Sequence, residues 1–155
     1  MFLGNAGKKG MSGGILGMDL DDWSAQISFW LPGAQTPETI STGDGEEDRI
    51  PAVLCRRTDR DVWTYGKEAL ETARRGGGVL ADRLLSRALA GEQLEISGEW
   101  FEAAALLALF IKRSLSLLGG SLRPEKADFF MFTLERVDRQ ALEMVERIAL
   151  LLSLP

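Results

Sequence analysis

The chain has 155 residues, 45% of them hydrophobic and 26% charged, with 23 acidic against 18 basic side chains and a net charge of -5. That is the balance of one globular domain, long enough to bury roughly 70% of its unfolded surface without staples. Histidine is absent and Cys55 is the single cysteine, which excludes an internal disulfide, a cysteine-cluster zinc site, Ser-His-Asp and Cys-His triads and a histidine pH switch.

The acidic balance, with no basic stripe to offset it, argues against a nucleic-acid binder. The longest apolar run, residues 103–111, falls far short of the roughly 20 residues of a membrane-spanning helix. Lys8 and Lys9 are followed by Met11-Ser12-Gly13-Gly14 and not by the apolar core of a signal peptide. The expectation is a soluble, cytoplasmic protein with no membrane partner. Residues 1–14 are read as a flexible Gly-rich leader and 15–155 as a single domain.

In chain order, Ile15-Leu16-Gly17-Met18-Asp19-Leu20 reads as a buried strand. Asp21-Asp22 makes a turn, and 23–31 returns as the second strand of a hairpin that Pro32-Gly33 ends. A short extended piece is expected over 36–40. The polar, acidic stretch 41–48 is a surface loop, 50–54 a strand with its proline near the start, and 62–65 its partner. Residues 67–75 have helix-forming composition and stop at Gly76-Gly77-Gly78. Helical spacing extends over 79–90, and 94–96 is a brief extended link. Residues 99–118 form a long helix, apolar around most of its circumference. The nearly unbroken apolar run 127–134 predicts a central strand covered on both faces. Asp138 is placed to cap the final helix, whose apolar residues recur from Ala141 to Leu152. The sum is an α/β layer architecture, a mixed β-sheet with flanking helices.

The order of these elements and several local words resemble the first lobe of the actin-like ATPase superfamily, most closely the heat-shock-70 (DnaK-like) chaperones. Gly17-Met18-Asp19-Leu20 is similar to the opening Gly-Ile-Asp-Leu strand, Arg49-Ile50-Pro51-Ala52-Val53-Leu54 to the Thr-Pro-Ser-Val-Val strand, and Tyr65-Gly66-Lys67-Glu68-Ala69 to the turn after it. Ala81-Asp82-Arg83-Leu84-Leu85-Ser86-Arg87 resembles Ala-Lys-Arg-Leu-Ile-Gly-Arg, and Asp138-Arg139-Gln140-Ala141 resembles Gln-Arg-Gln-Ala. The likeness runs in order over 15–155. It implies a ribonuclease-H-like half-lobe and a nucleotide site for ATP or ADP with Mg²⁺ at the first hairpin. Gly17, Asp19, Asp21, Asp22 and Trp23 are the binding candidates, and Asp19 orients the metal or its water.

The departures bear on function. Phosphate cradles use glycine and small hydroxyl residues so that backbone N–H groups approach the oxygens closely. Here the tip reads Asp21-Asp22-Trp23, which adds negative charge and bulk. Asp82 stands where the resemblance puts a phosphate-reaching lysine, reversing the charge that would stabilise a transferred phosphoryl group. The second phosphate loop and the adenosine pocket of that family belong to a second lobe, so the implied reading is a fragment or half-lobe that holds nucleotide weakly alone. Three outcomes are expected: a heat-shock-70-like nucleotide-binding fragment with a degenerate phosphate site, an ATPase half that uses Asp19 and Mg²⁺ only when completed by a second lobe, or an interaction module that kept the fold and lost the nucleotide. Partners would then be proteins or the second lobe. Exposed apolar surface is expected on the last helix around Leu150, Leu151 and Leu154, with self-association through it. The four tryptophans are expected as packing residues, Trp23 at the loop tip having the option of an exposed contact. The basic group Arg56, Arg57 and Arg60 is expected as a solvated face or a partner for the acidic loop.

Overall fold

The computed structural model describes residues 2–4, 13–42 and 48–154. Along the chain come β1 (Phe2–Gly4), the hairpin β2 (Ile15–Leu20) and β3 (Ser24–Trp30), and two-residue strands β4 (Glu38–Thr39) and β5 (Ile50–Pro51). A second unit follows: β6 (Leu54–Arg57), β7 (Trp63–Tyr65), α1 (Gly66–Arg74) and β8 (Gly78–Ala81). The chain closes with α2 (Leu84–Leu89), the hairpin β9 (Gln93–Ile96) and β10 (Glu99–Glu102), α3 (Ala103–Leu115), β11 (Phe129–Thr133) and α4 (Arg139–Leu152).

The main sheet has the order β1-β11-β2-β3-β4, with β5 also pairing β3. β2 and β11 are parallel, and the other pairs in it are antiparallel. Phe2–Gly4, inside the stretch expected as a leader, thus adds an edge strand beside β11. A smaller antiparallel sheet, β7-β6-β8, carries α1. The architecture is mixed α/β, with helices flanking a mixed sheet.

One face of the main sheet is built for burial. Leu16, Met18 and Leu20 alternate inward from β2, and Phe130 and Phe132 do so from β11. They meet Leu106, Leu107, Phe110 and Ile111 of α3 and Val145 and Ile148 of α4 in one core. Each such side chain contributes roughly 1.5–3 kcal/mol by leaving water. The opposite face carries Gly17 and Asp19 of β2, Met131 and Thr133 of β11, and is half-buried or exposed. The expected covering of 127–134 on both faces is therefore corrected: β11 alternates, and one side only is buried.

Three further boundaries differ from the sequence reading. Residues 99–102 are strand and not helix, because Ser97 and Gly98 both take positive φ (53° and 80°) and form the two-residue turn that suits a tight hairpin. The helical spacing over 79–90 hides a strand: Gly78–Ala81 pairs with β6, and helix begins only after Arg83 in the left-handed region. The single strand expected over 50–54 is two. Ile50–Pro51 stays with β3, while Leu54–Arg57 crosses to the smaller sheet. The acidic loop lies largely outside the described residues.

Candidate functional site

β2 and β11 run side by side with Asp19 opposite Thr133, so both end at the same edge of the sheet. From there β2 passes into the tip Asp21-Asp22-Trp23, and β11 passes into Leu134-Glu135-Arg136. α2 closes a third side with Leu85, Ser86 and Leu89, and the start of α4 closes the fourth with Asp138 and Gln140. Between them is an open cleft of about 510 Å³. The carboxyl ends of parallel strands are where open α/β sheets take their ligands, because loops diverge there and leave a crevice.

The chemistry of this cleft is set by its carboxylates. Asp21 Oδ1 accepts the backbone N–H of Trp23 and of Ser24, both at 2.7 Å, which folds the tip back on itself. Asp22 Oδ1 accepts the N–H of Ser86 at 2.8 Å, joining the tip to α2. Asp138 Oδ1 accepts the N–H of Ala141 at 3.0 Å, the expected cap of α4. Four backbone donors around the cleft are thus already met by the chain's own carboxylates. Behind the tip, Arg49 donates from Nη1 to Asp19 Oδ2 at 2.8 Å, from Nη2 to Asp21 Oδ2 at 3.1 Å and from Nε to Ser24 Oγ at 2.6 Å. One guanidinium therefore neutralises two of the carboxylates expected to face a nucleotide.

The structure separates the sequence-predicted site residues into two groups. Asp21, Asp22 and Trp23 line the cleft. Asp19 does not; it is turned to Arg49 on the open face of the sheet. Gly17 lies in mid-strand between Ser28 and Met131, and a Cβ there would meet its neighbours at 3.7 and 3.9 Å, so no close approach requires glycine. Asp82, the reversed lysine position, pairs with Arg87 at 3.6 Å and lies outside the lining. Four participants went unread in the sequence: Arg49, Ser86, Glu135 and Arg136. Glu135 and Arg136 carried a usable signal, since they follow directly on a strand taken as central.

Trp30 and Trp100 correct the packing expectation, being exposed at the end of β3 and on β10, while Trp63 packs edge-on against Phe101 at 5.4 Å. Trp23, 73% exposed at the cleft mouth, takes the exposed position left open for it. The basic group also has different partners from those expected. Arg57 pairs with Asp59, and Arg56 reaches Asp61 and Glu99 while lying over the Phe101 ring, which fastens the β9–β10 hairpin to the smaller sheet. Cys55 is fully buried in β6, and that burial raises its thiol pKa. On α4, Leu150 is 82% exposed and Leu151 half so, whereas Leu154 is partly covered. Among the described residues no group of three or more carboxylate or cysteine side chains is placed to hold a metal ion, and no helix is long and apolar enough to cross a membrane.

Residues 36–155 match the model of a family described as a family of unknown function (DUF5716), C-terminal. No curated protein matches the chain.

Proposed function

The chain belongs to the DUF5716 C-terminal family, and from the order of its elements and the chemistry of its cleft we propose that it is a heat-shock-70-like half-lobe whose phosphate site has been turned over to protein binding. The ribonuclease-H-like reading is supported by the main sheet: a central β2, its hairpin partner β3 on one side, parallel β11 on the other, and a helix after it. The order of the sequence words points the same way.

The observation that carries the functional part is the occupation of four backbone donors around the cleft. An anion is held by backbone N–H groups that have no other partner. Here the N–H groups of Trp23, Ser24, Ser86 and Ala141 go to Asp21, Asp22 and Asp138. Four carboxylates against one guanidinium line the walls. A triphosphate would lose the donors and meet like charge, so these residues do not fit it. Mg²⁺ fits no better at Asp19, whose Oδ2 already has a full cation beside it. No hydrolytic step is assigned to the chain.

A second reading, an ATPase completed by another lobe, is favoured by the position of the cleft at the strand ends and of Asp19 beside it. Assays of Mg-ATP hydrolysis on this chain and on any longer natural form decide between them. The proposal expects no turnover from either. Turnover by the longer form, abolished by Asp19→Asn, overturns it. Cytoplasmic placement, and self-association through the exposed end of α4, belong to the same proposal.

A further inference from the structure

We infer that the cleft at the strand ends is a docking groove for a basic segment of a partner protein, one that offers arginine or lysine side chains interleaved with apolar ones. This rests on the reading that the cleft has given up phosphate, and it adds the chemistry of what replaces it.

The occupant follows from two kinds of lining residue. One is acidic: Asp22, Glu135 and Asp138 line the groove, and Arg136 is the only basic residue in its lining. Their hydrogen bonds leave charge to spare. Asp22 and Asp138 each give only Oδ1 to backbone, and Glu135 makes no hydrogen bond or ion pair among the described residues. Arg136, an exposed side chain, pairs with Asp138 Oδ2 at 3.7 Å, so the charge left over is that of Asp22 and Glu135. The other is apolar, Trp23 on the tip and Leu89 on α2, with the indole standing open to solvent. A guanidinium or ammonium satisfies the carboxylates while its methylene stem lies against the apolar side chains, and a cation beside an indole gains further attraction from the ring face. The space of about 510 Å³ suits a few side chains of such a segment. An acidic peptide or a free nucleotide meets repulsion at the same place, so the arrangement selects as well as binds.

The test is fluorescence anisotropy of a labelled, end-capped hexapeptide of alternating leucine and arginine, titrated with the full chain at low salt. Saturable binding is expected, weakened about tenfold or more in the Asp22→Asn/Glu135→Gln double variant and about threefold or more in Trp23→Ala. Asp22→Asn keeps the oxygen that accepts Ser86, so the tip remains folded. The variant Glu68→Gln/Glu71→Gln removes the same charge from α1, on the smaller sheet, and is expected to leave affinity unchanged. Equal loss in that control, or no saturable binding, overturns the inference. So does spermine competing as well as the unlabelled peptide, which would make the ligand a small polyamine. Mg-ADP competing with the peptide overturns the underlying reading instead, since it shows the cleft accepting phosphate.

Discussion

Asp22 accepts the backbone N–H of Ser86 across 64 residues of sequence, at 2.8 Å. This bond holds the first hairpin against α2 and gives the cleft its shape. A part-buried backbone donor left without its acceptor costs about 1–3 kcal/mol. Asp22→Ala is therefore expected to lower stability by about 1 kcal/mol or somewhat more, and Asp22→Asn, which keeps an acceptor oxygen, by much less. Urea denaturation of the two variants checks this; equal losses would show that the charge and not the bond matters.

Gly78 is needed for space. A Cβ there would come within 2.5 Å of both the Arg56 carbonyl oxygen and Cys55 Sγ. Gly78→Ala is expected to destabilise by about 1–3 kcal/mol, the usual cost of overpacking. Adding Cys55→Ala relieves only the sulfur contact, so the double variant is expected to recover part of the loss. Full recovery would mean that the backbone moves aside freely.

The end of α4 presents Leu150 and Leu151 to solvent. If that surface joins copies of the chain, sedimentation at rising concentration gives a growing oligomer fraction, and Leu150→Lys/Leu151→Lys abolishes it. A wild-type chain that stays monomeric throughout contradicts the self-association proposal. Because both positions are exposed, the variant is expected to fold as well as the parent.

Asp59 gives a pH signature. The hydrogen bond from Arg57 holds its carboxyl at about 2, below the ordinary 3.8. A carboxylate depressed in the folded state adds stability that is fully present above its unfolded value and is lost as pH falls through the folded one. The contribution thus fades from pH 3.8 down to about 2. Asp59→Asn is expected to flatten the acid limb of a stability–pH curve in that window and leave its shape above it unchanged. An unchanged acid limb would place the sensitivity at another carboxylate.

The first hairpin and the Asp138 cap were legible in the sequence because they rest on local rules: alternation, an acidic turn, and a capping residue ahead of a helical period. The β9–β10 hairpin was lost because Glu99 to Glu102 leads without a break into α3, and the deciding feature, positive φ at Ser97 and Gly98, is a short turn easily read as a link. Val79 to Ala81 reads as helix from sequence because Leu80, Leu84 and Leu85 share a helical spacing, even though Leu80 packs toward α1 in the smaller sheet. At the site, Asp21, Asp22 and Trp23 could be read because they are contiguous. Arg49 could not, since its approach to Asp19, 30 positions away, depends on the docking of β5 beside β3, and no local pattern encodes that.

Four backbone N–H donors around the cleft, those of Trp23, Ser24, Ser86 and Ala141, are already taken by its own carboxylates. The most direct measurement is an amide ¹H–¹⁵N titration of the chain with Mg-ADP, following Trp23, Ser24, Ser86 and Ala141. These four resonances are expected to stay where they are up to millimolar nucleotide. Saturable shifts confined to them, removed by excess phosphate, would contradict it.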